Sequence, residues 1–202
     1  NHILLYGGTN KEIDFEYIDE VLSHFSKGDI VVLQNEINNV PYIIERCYEK
    51  EMRSFFNAAP YDIAVKNYPI EKVTWLVVNE TEGAALSNEE DYEKIIQTLK
   101  QKYPHTHILF TMGKEGSRAY YKNLRVEQPG FTVKAIETTG AGDTFCGCSI
   151  NGVLKYGLDN LDEEKLKEIL TYANAGAALI TMKKGAIRSM PEPQNIKELI
   201  GE

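Results

Sequence analysis

The nine residues Glu137-Thr138-Thr139-Gly140-Ala141-Gly142-Asp143-Thr144-Phe145 decide how the rest of the chain is read. Gly140, Ala141 and Gly142 follow an apolar run (Val133, Ala135, Ile136) and precede a segment of helical character. A helix that starts there aims unpaired backbone N–H groups and the positive end of its dipole at whatever lies before the glycines, and an anion is the natural occupant. Asp143 falls in the first turn. A carboxylate repels the ligand that the N–H groups attract. It therefore needs another task, such as taking the proton of a hydroxyl that attacks a bound phosphate. The other reading is a glycine turn ahead of a tightly packed helix.

Upstream, strand and helix alternate. Ile3 to Tyr6 is a short apolar run stopped by Gly7-Gly8, and Ile13 to Phe25 has helical spacing at Ile13, Tyr17, Ile18, Val21, Leu22 and Phe25. Ile30 to Leu33 is an unbroken apolar run of the kind buried on both faces of a sheet. A helix capped by Asn38 or Asn39 follows, with Pro41 in its first turn. Ser54 to Phe56, Trp75 to Val78 and Ile108 to Phe110 are further strands; helices start near Thr81 and run from Tyr92 to Leu99. This rhythm implies βαβ units and a parallel sheet with helices on both faces. Beyond Met112 come a turn at Lys114 to Ser117 and short strands at Arg118 to Tyr121, Leu124 to Val126 and Phe131 to Val133, which form an antiparallel edge. Helices from Ala141 to about Tyr156 and from about Asp162 through Ala178 precede a closing loop, Lys183 to Ser189.

A chain of 202 residues fits one domain of roughly 100 to 200 residues. Its 43% hydrophobic and 26% charged residues are those of an ordinary soluble globular protein. The formal charge of -8 argues against a general nucleic-acid or membrane-surface binder. Cys47, Cys146 and Cys148 have no C-x-x-C spacing, so no disulfide framework or zinc site is indicated and a reducing, cytoplasmic setting is expected. Cys146 and Cys148 read as packing residues on a helix rich in small side chains. No apolar run approaches ~18 residues, and with no charged-then-apolar stretch at the start neither a membrane span nor a signal peptide is expected. His2, His24, His105 and His107 form no cluster in the sequence.

In open α/β sheets ligands sit beyond the carboxyl ends of the strands, which directs attention to the residues after each apolar run. Glu36 follows Ile30 to Leu33; it is either a ligand contact or a solvated loop carboxylate. Asn79 and Glu82 follow Trp75 to Val78 and place two oxygen ligands three residues apart. They could hold magnesium through water beside phosphates, or act as helix cap and third-position partner, and both roles can coexist. Thr111-x-Gly113-Lys114-x-Gly116 is a backbone approach to a ligand or a hairpin turn. Asn174, between Ala173 and Ala175, is a ligand contact or an interhelical hydrogen-bonder. No G-x-G-x-x-G follows the first strand, which removes a dinucleotide-dependent oxidoreductase.

Residues 137–145 resemble the second signature of the ribokinase (PfkB) family of sugar kinases. The resemblance implies a three-layer α/β/α, ribokinase-like fold with a mostly parallel sheet and a short antiparallel edge. It also implies ATP-dependent phosphorylation of a hydroxyl of a small sugar, ribose or fructose; the tail from Ala177 to Pro191 is similar to the family's fructokinases. By resemblance, Gly140, Ala141 and Gly142 are the anion hole and Asp143 is the catalytic base and a substrate contact. Glu36 meets sugar hydroxyls, and Asn79 and Glu82 serve Mg2+ and phosphates. Thr111, Gly113, Lys114, Gly116 and Asn174 meet ATP. Glu137, Thr139, Ile180, Lys183, Gly185 and Ser189 would hold a monovalent cation such as K+. The family opens the signature with Asp; Glu137 departs from it by a methylene, about one bond length. The resemblance covers the later two thirds of a family member. It implies a single domain, residues 1–202, as a fragment lacking the amino-terminal sugar motif and the β lid through which family members form homodimers. A non-catalytic nucleotide or sugar binder of the same fold is the alternative.

Overall fold

The computed structural model describes residues 6–201; the strand expected at Ile3 to Tyr6 lies outside them, apart from Tyr6. Two compact units, Asn1–Thr106 and His107–Glu202, divide the chain.

The first unit carries three parallel strands, β1 (Ile30–Gln34), β2 (Arg53–Asn57) and β3 (Trp75–Asn79), paired in that order. Phe55, Phe56, Trp75 and Leu76 are fully buried, each contributing roughly 1.5 to 3 kcal/mol relative to exposure. Phe55 lies opposite Trp75 in register and stacks on it with ring centroids 5.9 Å apart. The helices of this unit are α1 (Phe15–Ser23), α2 (Val40–Glu49), α3 (Glu80–Ser87) and α4 (Tyr92–Lys102). In α2 the buried residues Val40, Ile43, Ile44 and Cys47 recur at i, i+3, i+4 and i+7, the stripe that lets a helix bury one face.

Three expectations change here. β1 is not buried on both faces: among the described residues it pairs only with β2, and Val32 is 52% exposed. The helix expected from Ile13 to Phe25 spans only Phe15–Ser23, because the Asp14 carboxylate caps it by accepting the Tyr17 N–H; only Ile18 and Leu22 are buried in it. Asn39 stands at the N-cap of α2, its carbonyl accepting the Ile43 N–H at 3.1 Å, but neither its side chain nor that of Asn38 caps the helix. Both side chains donate to the Ile13 carbonyl instead, at 2.7 Å each, and Asn38 also accepts the Ile13 N–H.

The second unit carries an antiparallel meander, β4 (His107–Thr111), β5 (Gly116–Tyr121) and β6 (Leu124–Pro129). Arg118 and Glu127 face each other across β5 and β6 and pair at 2.8 Å. Its helices are α5 (Ala141–Tyr156), α6 (Glu163–Thr181) and α7 (Pro193–Ile200). Glycines let α5 and α6 approach closely: a Cβ on Gly152 would lie 2.7 Å from the Ile169 side chain, and one on Gly176 2.9 Å from the Cys148 sulfur. Phe131 to Val133 is no strand. β6 ends at Pro129, and the segment that leads on to α5 takes its hydrogen bonds from the end of α6, as described below. α7 had no counterpart in the periodicity reading. No helix among the described residues is long and apolar enough to cross a membrane.

Gly116 opens β5 at φ +107°, and a Cβ there would lie 2.1 Å from the Gln128 carbonyl oxygen and 2.5 Å from the Gly130 nitrogen. The obstacles are backbone and cannot swing away. Gly116→Ala is expected to lower unfolding free energy by at least ~3 kcal/mol, read as a shift of the urea midpoint.

Candidate active site

The chain reaches α5 through a segment with no sheet partner. Two of its N–H groups share one acceptor: Ile136 and Glu137 donate to the Thr181 carbonyl at 2.7 and 3.1 Å. The Thr139 hydroxyl donates to Glu137 Oε1 at 2.8 Å, and the Gly185 N–H donates to Glu137 Oε2 at 3.0 Å. These bonds, the Gly185 one first, hold the Glu137 carboxyl below its usual range. Gly140 then turns the chain in the left-handed region, φ 80° and ψ 0°, with Ile180 and Ala186 against the space its missing Cβ leaves open. The first regular helix bond runs from the Thr144 N–H to the Gly140 carbonyl at 2.9 Å, and no side chain caps the helix. Gly142 and Asp143 are exposed, and nothing lies within 4 Å of a Cβ built on Gly142. The helix start thus opens outward, with Asp143 in its first turn.

The β4 to β5 connection holds Thr111, Gly113, Lys114 and Gly116. Thr111 ends β4, and Gly113 to Glu115 form a short 3-10 turn closed by the Met112 N–H on the Gly116 carbonyl at 2.9 Å. Gly113 has φ +52°, and Gly113 and Lys114 are exposed. Gly116 has the packing role described above. Asn174, on α6, is 6% exposed. Its Oδ1 accepts the Ser117 hydroxyl at 2.8 Å, and its Nδ2 donates to the carbonyls of Gln128 and Pro129 at 3.1 and 3.2 Å. Its amide therefore ties α6 to β5 and β6, the hydrogen-bonder reading of this residue.

In the first unit Asn79 ends β3 and caps α3. Its Oδ1 accepts the Glu82 N–H, and Glu82 Oε2 accepts the Asn79 N–H, both at 2.9 Å, while Glu82 Oε1 accepts Asn79 Nδ2 at 3.1 Å. This is a full capping box. Glu82 is 6% exposed, and burial pushes its carboxyl above the ordinary range against the pull of the Asn79 hydrogen bond. Each Glu82 oxygen accepts one hydrogen bond and keeps a further lone pair. Glu36 is exposed in the turn after β1. Its neighbour Asn35, which sequence reasoning passed over, is the anchor of that turn: it accepts the Tyr68 hydroxyl at 2.8 Å and donates to the carbonyls of Ala59 and Pro60 at 2.9 Å each. No group of three or more His, Cys, Asp or Glu that could hold a metal occurs among the described residues.

Lys183 donates its N–H to the Ile180 carbonyl at 3.4 Å, and the Ser189 hydroxyl donates to the Lys184 carbonyl at 2.7 Å. Of the six residues expected around a monovalent cation, Glu137, Thr139 and Gly185 are joined directly to one another; Ile180 with Lys183, and Ser189, bond within the closing loop and the end of α6.

Comparison with known proteins is consistent along the whole chain. The family described as pfkB family carbohydrate kinase matches residues 1–193. The chain is 29% identical to ribokinase of Bacillus subtilis (strain 168), an alignment over 99% of this chain and 64% of that protein. It is 43% identical to probable fructokinase-5 of Arabidopsis thaliana over 93 residues, 46% of this chain and 29% of the relative. Among solved structures, Arabidopsis thaliana ribokinase complexed with ribose and ATP superposes with a TM-score of 0.80 at 24% identity, and Thermotoga maritima ribokinase with 0.74 at 26%. Each of these two superpositions covers 100% of this chain and 65% of the other. The chain thus spans less than two thirds of the length of each of these relatives, and it has their ribokinase-like α/β fold.

Two consequences are measurable. Asn174→Ala leaves the Ser117 hydroxyl and two carbonyls without their partner and is expected to cost roughly 1 to 3 kcal/mol, read by urea unfolding. For Glu82 the folded carboxyl titrates above its ordinary value of 4.5. Its stabilising contribution is therefore complete below that value and is lost as pH rises through the raised one. The stability of the wild type relative to Glu82→Gln should fall as pH rises from 4.5; a pH-independent difference would contradict the assignment.

Proposed function

The chain belongs to the pfkB family of carbohydrate kinases, and from that premise we propose that it acts in ATP-dependent transfer of the γ-phosphoryl group to a hydroxyl of a small sugar of the ribose or fructose type. The observation that carries the reading is the uncapped, outward-facing start of α5 with Asp143 in its first turn. Backbone N–H groups of Gly140, Ala141 and Gly142 would face the transferring phosphate and stabilise the charge that spreads over its oxygens. Asp143 takes the proton of the sugar hydroxyl as the new O–P bond forms and the bond to the departing ADP oxygen breaks. The transition state is loose, so this proton moves late and the placement of the carboxylate matters more than its basicity.

Thr111, Gly113 and Lys114 lie on the exposed β4 to β5 turn and fit a nucleotide contact through backbone and ammonium. Gly116 shapes that turn. Asn174 would act from behind it by holding β5 and β6. Glu36 fits a contact to sugar hydroxyls, which exposed carboxylates make readily. Asn79 and Glu82 fit Mg2+ only through water, because the hydrogen bonds of the capping box take one lone pair from each Glu82 oxygen. When bound, that ion would neutralise phosphate charge.

A coupled assay of ADP release across a panel of ribose, fructose and related sugars tests this reading. ATP binding by calorimetry without any sugar-dependent release would leave a nucleotide-binding member of the fold and remove the catalytic reading. Where release is seen, Asp143→Asn should lower kcat by at least ~100-fold with ATP affinity little changed. Turnover within a few fold of the wild type would take the proton acceptor elsewhere.

A further inference from the structure

The turn between β1 and α2 is tethered at both ends. At its start the Asn35 N–H donates to the Ala59 carbonyl at 2.9 Å, beyond the last register pair of β1 and β2, Gln34 with Asn57. Asn35 Nδ2 donates to the Pro60 carbonyl at 2.9 Å, and its Oδ1 accepts the Tyr68 hydroxyl at 2.8 Å. At its end Asn38 and Asn39 are bound to Ile13, and the Asn38 N–H donates to the Asn10 carbonyl at 2.9 Å. Between the tethers lie the exposed Glu36 and the half-buried Ile37. The Pro60 carbonyl can only accept, so the Asn35 amide must turn its nitrogen toward it and its oxygen toward Tyr68. The Tyr68 hydroxyl is the donor that holds the amide in that sense. Tyr68 is itself fixed: its ring meets the buried Phe56 with centroids 6.0 Å apart, and its N–H donates to the Val65 carbonyl at 3.1 Å. Burial first, and the charge of Asp62 second, raise its phenol above the ordinary value of 10.0, so the hydroxyl stays a donor at neutral pH.

We propose that Tyr68, acting through Asn35, is a positioning residue that holds Glu36 where it meets a hydroxyl of the sugar. This role rests on the kinase reading, which makes Glu36 a sugar contact. A carboxylate on a free turn has to be ordered by the sugar itself, and that ordering is subtracted from affinity. A turn ordered beforehand by its own hydrogen bonds spares the ligand that cost. Tyr68 comes from the segment between β2 and β3, 33 residues from Asn35 in the chain, so only the fold makes the link. The contact that Glu36 makes is the same before and during transfer. Its loss therefore weakens sugar binding and leaves the chemical step unchanged.

The experiment compares the wild type, Tyr68→Phe, Glu36→Ala and the double variant, each as the whole chain. Calorimetry gives the affinities for ATP and for the panel of ribose, fructose and related sugars, and KM and kcat are added where ADP release is seen. Tyr68→Phe keeps the ring and removes one hydroxyl. It should weaken sugar binding about three- to tenfold, the worth of one hydrogen bond, with ATP affinity unchanged and kcat within about twofold. In the Glu36→Ala background the same substitution should change sugar affinity by less than about twofold, because the group it positions is gone. Asn35→Ala cuts the link from its other end and should give a like shift, which decides the matter if Tyr68→Phe does not fold. Unchanged sugar affinity in Tyr68→Phe and in Asn35→Ala overturns the proposal. So does a loss of equal size with and without the Glu36 carboxylate, or an equal fall in ATP affinity, each the mark of a general disturbance. A wild type that binds none of the sugars overturns it as well. The expected pattern of sugar affinities without any ADP release bears against the kinase reading alone.

Discussion

The Thr181 carbonyl accepts the N–H groups of both Ile136 and Glu137, and the second half of the chain is arranged around that shared acceptor. The segment 130–140 has left β6 at a proline, so it has no ladder to satisfy its backbone, and unpaired N–H groups in a partly buried strip cost about as much as lost hydrogen bonds. The end of α6 answers this because a helix leaves its last carbonyls without intrahelical partners. The length of α6 is therefore tied to the position of Gly140. Ending α6 a turn earlier would move the acceptor by about 5.4 Å and leave the approach to α5 unsupported.

The same economy of polar groups runs through both units. Asn79 with Glu82, Asn174 with Ser117, and Asn35 with Tyr68 are each polar residues at a strand end or on a buried helix face, and each is engaged by protein partners. Asp143, Gly142, the turn at Gly113 and Lys114, and Glu36 are among the residues exposed on the surface. A scaffold that satisfies its inner polar groups internally can leave a few outer ones poised for a ligand without losing order.

Strand β3 was legible because its unbroken apolar run buries on both faces, and α4 because Tyr92, Ile95, Ile96 and Leu99 keep helical spacing. At β1 the same apolar signal marks a strand that pairs, among the described residues, with β2 alone: hydrophobicity records what a strand can bury and says nothing of which neighbours it has. Phe131 to Val133 misled for a related reason, since alternation of side chains does not supply a partner strand. α7 escaped periodicity because it is only two turns long with one buried residue, Ile196, although Pro193 near its start and Gly201 after its end, at φ +85°, mark its limits. Around the start of α5 the glycine signature located the helix to the residue. What it could not convey is which partner, 48 residues away, Glu137 meets, because side-chain type fixes bonding capacity and only the fold fixes the partner.

The close approach of α5 and α6 has a practical side. It buries Cys146 and partly buries Cys148, and desolvation pushes both thiols up to about 11; burial does the same to Cys47 in α2. At neutral pH only about one thiol in ten thousand is then ionised, and alkylating reagents attack the thiolate. A single cysteine introduced at the exposed positions 183–185 should therefore take a maleimide probe faster than the three native thiols.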